Sequence, residues 1–143
     1  MVGVMRTFFT LLLLSVSTVA GAQAAKGGQD ALALAVKSQR VLNEYVVGAV
    51  EPEAMKYAQR LRLTKAALDG QRKEWPTVTS GPDPWDNFRA CKNALEKASY
   101  VAELSGMKAV SKLDDKVFVT EKGKLQKLRA ECDARVKQGN AAR

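Results

Sequence analysis

Cys91 and Cys132 are the two residues in this chain whose chemistry is most open to choice: a thiolate can attack, hold a soft metal, or pair with its twin. Their surroundings narrow that choice. None of the 143 residues is a histidine, so two thiolates leave too few soft ligands for a zinc site. No Cys-x-x-Cys spacing points to redox catalysis. Cys91 lies three residues after Phe88 and four before Leu95, while Cys132 lies four after Leu128 and four before Val136. Those spacings place each cysteine on the apolar face of its own helix. The expected outcome is a structural disulfide in the seam between two helices. Closing a loop of about 40 residues restricts the unfolded chain by about 4 kcal/mol in the entropy model.

The missing histidine also removes Ser-His-Asp and Cys-His nucleophile systems and the CxxCH haem attachment. Ser105-Gly106-Met107-Lys108 matches a Ser-x-x-Lys pattern in form, but the companion motifs of the enzymes that use it are absent. Asp114-Asp115 is a poor carboxylate pair, because adjacent residues on a helix do not face each other. Lys112 and Lys116 flank it, as in a solvated charged turn. The chain is therefore expected to be non-enzymatic, with no cofactor and no metal.

What remains is surface. Ala25 to Trp75 holds nine bases and six acids, and Pro76 onward thirteen and nine, so the basic excess is spread along the chain. Many charges stand at helical spacing, such as Lys65 with Asp69, Asp69 with Lys73, and Lys127 with Glu131. A salt-bridge-laced exterior accounts for this better than a nucleic-acid site does, although a moderate positive field also suits an anionic lipid or cell-wall polymer. The candidate partner-binding residues are Trp75 and Trp85, which bracket a proline-rich loop, with Arg72 and Lys73 just before it. The competing reading folds both indoles inward over Phe88, capping one end of a bundle.

The elements that must position these residues read as helices. Asp30 suits the N-cap of a first helix running toward Val50, with Gly48 and Pro52 at its end. A second reaches about Glu74 and is expected to bury Met55, Ala58, Leu61 and Leu68. WPTVTSGPDP breaks the chain. Asp83-Pro84 then starts a third helix with Trp85, Phe88, Cys91, Leu95, Ala98 and Ala102 facing inward, ending near Gly106 or continuing toward Leu113. Val117-Phe118-Val119-Thr120 leans locally to strand, and from Thr120 onward Leu125, Leu128, Cys132 and Val136 repeat at helical spacing up to a stop at Gly139-Asn140.

One segment precedes all of this. Arg6, the apolar stretch Phe8 to Val19 and the small residues Ala20 to Ala24 form the three parts of a secretory signal peptide, cut after Ala24 or Ala22. Its removal leaves 22 bases against 15 acids, a charge of +7. The sequence thus predicts a leader at 1–24 and a single domain at 25–143. That domain is an all-α, small antiparallel bundle of about four main helices tied by one disulfide. It is expected in the periplasm or secreted, with no membrane-spanning segment after processing. Its expected role is a protein-interaction module of the bacterial envelope, acting as an inhibitor, immunity or accessory protein. The alternative is a binder of anionic envelope ligands such as lipid or cell-wall fragments.

Overall fold

The computed structural model describes residues 17–45, 53–77, 83–110 and 113–143, with side chains omitted for 17–25, 54 and 110. The expected leader residues 1–16, the Gly48–Pro52 stop and residues 78–82 of the proline-rich loop lie outside that set. Four α-helices carry the fold: α1 (Ser17–Glu44), α2 (Ala54–Lys73), α3 (Arg89–Val110) and α4 (Asp115–Ala141), with a short 3-10 turn, Pro84–Phe88, leading into α3. No strand occurs among the described residues. The chain is the expected small all-α bundle.

Pair contacts set the directions. Leu61 of α2 lies against Gly106 of α3 and Lys65 against Ser99; Cys91 of α3 meets Cys132 of α4, and Lys108 meets Asp115. Both pairings run antiparallel. Leu32, Gln39 and Asn43 of α1 meet Gly139, Asp133 and Arg129 of α4, also antiparallel. α3 is the shared wall, packed along α2 on one side and α4 on the other, while among the described residues α2 and α4 do not touch. Leu95, Val101, Cys91 and Cys132 are fully buried in the core that α3 centres.

Several local expectations are corrected. α1 passes straight through Asp30, which is therefore not its N-cap. Gly27, inside the helix, would carry a Cβ only 3.2 Å from Pro84 Cγ; its missing side chain lets α1 approach the 3-10 turn. Gly139 likewise does not stop α4, which runs on to Ala141. A Cβ at Gly139 would stand 2.9 Å from Leu32 Cδ1 and 3.2 Å from Phe88 Cζ, so this glycine serves helix approach.

α2 buries Leu68 and half-buries Leu61 as expected, but not the other two expected positions. Met55 and Ala58 are exposed, and the buried face is Tyr57, Thr64, Leu68 and Gln71, continued by Trp75. Two of those residues are polar, so apolar spacing alone did not mark them. The Val117–Thr120 stretch is helix. Asp114 caps it by accepting from the Lys116 backbone N–H at 2.8 Å, and Phe118 turns into the core, so cap and tertiary burial override a weak local strand preference. Asp83 caps the 3-10 turn by accepting from the Trp85 N–H at 3.0 Å.

Candidate functional site

The two cysteines form the expected bridge, Cys91–Cys132, with both residues at 0% exposure. It fixes α3 to α4 near the end of the bundle where Phe88 and Gly139 pack. Farther along the same seam Lys97 reaches Glu121 at 2.6 Å, and Lys108 reaches Asp115 at 2.6 Å. The α3–α4 pair is thus pinned at three levels.

Beside this seam lies an open groove of about 540 Å³ lined by Asn93, Glu96, Lys97, Tyr100 and Leu128. Tyr100 is 42% exposed, with the Lys97 ammonium 5.2 Å from its ring centre. Leu128 is half-buried against the core. The groove therefore offers an aromatic face and an aliphatic floor between a carboxylate and an ammonium. The sequence reading missed it, since its residues come from two helices and read separately as a solvated charged face.

The tryptophan loop resolves into two different environments. Trp75 is 5% exposed, and its indole N–H donates to Ser38 Oγ at 3.0 Å; the Ser38 hydroxyl donates in turn to the Leu34 carbonyl. Trp85 is half-buried and meets Trp75 edge-on, with ring centres 5.9 Å apart. The two indoles close one end of the bundle. Of the four proposed contact residues, Trp75 has no surface to give, Arg72 and Trp85 are partly exposed, and Lys73 is exposed.

The densest polar cluster lies between α2 and α3. Lys65 donates to Ser99 Oγ at 3.2 Å and stands 3.3 Å from Asp69 and 3.9 Å from Glu103; Ser99 Oγ donates to Asp69 at 2.9 Å. A serine beside a lysine invites comparison with Ser-Lys nucleophiles, which need an uncharged amine. Here the amine faces two carboxylates and the hydroxyl proton is already given to Asp69, so the cluster is a helix clasp. Burial works against the Asp69 carboxylate. The Ser99 and Lys65 hydrogen bonds, with the Lys65 and Arg72 charges, outweigh it and hold its pKa below the ordinary range. Hydrogen bonds from Lys124 and then Lys97 do the same for Glu121.

The other sequence motifs have structural occupations. Ser105 is fully buried and donates to the Val101 carbonyl at 2.8 Å. Lys108, its partner in Ser-x-x-Lys, pairs with Asp115 and lies 4.9 Å from the Phe118 ring centre. Asp114 is a cap and Asp115 an ion-pair partner, so the adjacent carboxylates have separate tasks.

A second exposed feature runs along α2. Met55 at 87% and Leu63 at 61% exposure stand on the outward side with Gln59, Arg62, Ala66, Gly70 and Lys73, while Thr64 and Gln71 point inward. The helix carries six bases and one acid, and that acid, Asp69, is turned toward α3. Among the described residues no helix is long and apolar enough to cross a membrane. No protein-family model matches the chain, and comparison with curated proteins and with solved structures returned no match.

Proposed function

We propose that the chain is an exported, non-enzymatic protein-interaction module of the bacterial envelope that inhibits, protects or chaperones one other protein. The observation that carries this reading is the α3–α4 groove, which lies along the seam that the Cys91–Cys132 bridge and the Lys97–Glu121 pair hold together. A groove fixed before binding avoids much of the ordering entropy that weakens association. Tyrosine is a residue type that dominates partner binding when its ring is enclosed, and Tyr100 with Leu128 supplies the apolar centre, with Glu96 and Lys97 as a mixed-charge rim. A small bundle that presents such a groove suits stoichiometric binding.

Export would place the protein in the periplasm or outside the cell, where a disulfide persists. The direct test is capture: the oxidised protein is immobilised, exposed to extract from its own source and washed to about 0.5 M salt, at which surface electrostatics are heavily screened. One stoichiometric protein retained through the wash supports the module.

A second reading has its own observation. The six bases and single acid of α2 favour an anionic envelope ligand, lipid or cell-wall polymer, held mainly by charge. Such a ligand leaves at moderate salt.

A further inference from the structure

We propose that the outward face of α2 docks on an anionic lipid surface, with Met55 and Leu63 entering the interface and Arg62 and Lys73 meeting the headgroups. The proposal rests on the second reading above and deepens it by naming the face and the ligand.

The outward face of α2 motivates it. A helix that turns Thr64 and Gln71 into the protein while leaving Met55 87% and Leu63 61% exposed forgoes apolar burial within its own fold. Single exposed apolar residues are ordinary. Here two large ones share a helix side with Arg62 and Lys73, and Met55, Gln59, Arg62, Leu63, Ala66, Gly70 and Lys73 are all exposed with no acid among them. The one acid of the helix is committed to Ser99 and Lys65 on the flank that meets α3.

The shape of this face favours a bilayer over a protein. It is the convex side of a single helix, extending about 27 Å from Met55 to Lys73 at 1.5 Å per residue, and it offers no slot for a partner's side chain. A bilayer surface needs only one sign of charge and side chains that sink below the headgroups, which is the pairing used by interfacial helices. Each lysine or arginine near an anionic leaflet contributes attraction over roughly a Debye length. Small residues at Ala66 and Gly70 let the helix backbone lie close to that plane. The outward side of α4 is also basic, with Lys116 and Lys127, but its two exposed large apolar residues, Val117 and Val119, stand two positions apart and so lie on opposite sides of the helix. The α3–α4 groove carries Glu96 on its rim, which opposes an anionic plane.

The test is partitioning of the oxidised protein, purified after export, onto vesicles of about 30% phosphatidylglycerol in phosphatidylcholine, against phosphatidylcholine alone. Wild type is expected to bind the anionic vesicles and not the neutral ones. Arg62→Gln with Lys73→Gln should lower the partition coefficient about 30-fold. Met55→Ser with Leu63→Ser should lower it about tenfold or more. Lys116→Gln with Lys127→Gln should change it much less. All these positions are exposed, and circular dichroism confirms that each variant retains its helices.

Binding that survives both α2 variants and fails in the α4 variant overturns the proposed face and leaves the anionic-ligand reading standing. Absence of vesicle binding overturns the proposal outright, and a parallel titration with inorganic polyphosphate then shows whether the broader reading falls with it.

Discussion

The indole N–H of Trp75 donates to the hydroxyl of Ser38 at 3.0 Å inside the bundle, where the end of α2 meets the C-terminal third of α1. Lys37 reinforces the same junction from outside, reaching both oxygens of the Glu74 carboxylate at 2.6 and 2.8 Å. The loop that follows α2 therefore begins from a fixed point in the core.

Ser38→Ala leaves the buried indole N–H without its partner and should destabilise the fold by about 1–3 kcal/mol. Acrylamide quenching checks the geometry: with Trp85→Phe the remaining Trp75 should be shielded. Free quenching of Trp75 in the intact fold would contradict its placement.

The glycines should separate sharply. Alanine at Gly70 or Gly123 meets nothing within 4 Å and should raise stability by about 0.5–1 kcal/mol through helix propensity. Alanine at Gly139 gains the same propensity but places its methyl against Leu32 and Phe88, and overpacking of about 1–3 kcal/mol should leave it destabilised. Thermal melts of the three variants measure the difference, and a stabilised Gly139→Ala would show that α1 and α4 do not approach as described.

The bridge should contribute both stability and inertness. Replacing Cys91 and Cys132 by serine removes a cross-link spanning 41 residues and should lower stability by about 4 kcal/mol, less if the reduced chain keeps structure when unfolded. With both sulfurs at 0% exposure, reductant should open the bridge at a rate set by unfolding. Thiol labelling in dithiothreitol, with and without subdenaturing urea, reads this: rapid labelling without urea would argue against burial.

Asp69 and Glu121 predict the acid limb. Both carboxylates are held below their ordinary range in the folded protein, so the stability they contribute is present above their unfolded values near pH 4. It is lost as pH falls through the lower folded values. Asp69→Asn should flatten the decline in melting temperature below about pH 4 and leave the neutral plateau lower. An unchanged acid limb would mean that the α2–α3 clasp does not hold its charge.

The sequence was most readable where one apolar period served one buried face. Phe88 at the end of the 3-10 turn and Cys91, Leu95, Ala98 and Ala102 on α3 keep one period because that helix is enclosed on two sides, and the cysteine pair followed from the same pattern. It was least readable where tertiary contacts reverse a residue's ordinary role. Thr64 and Gln71 face inward on α2, and an apolar count places Met55 there instead. Gly27 and Gly139 look like breaks but are close-approach points between elements far apart in sequence. Asp114 looked like part of a charged turn, and its capping role depends on the helix that follows it. The groove left no linear signal, because Tyr100 and Leu128 become neighbours only after α3 and α4 are joined.

The most direct measurement of the central claim is capture with and without the groove. Wild type and Tyr100→Ala, both oxidised and equally folded, are immobilised side by side, exposed to source extract and washed to about 0.5 M salt. One protein should be retained at a fixed ratio by wild type and depleted at least about tenfold by Tyr100→Ala, the loss expected for a tyrosine at the centre of an interface. Equal retention by both would place the partner elsewhere on the bundle. Release of everything from wild type at moderate salt would contradict the protein-interaction reading and leave the anionic-ligand reading in its place.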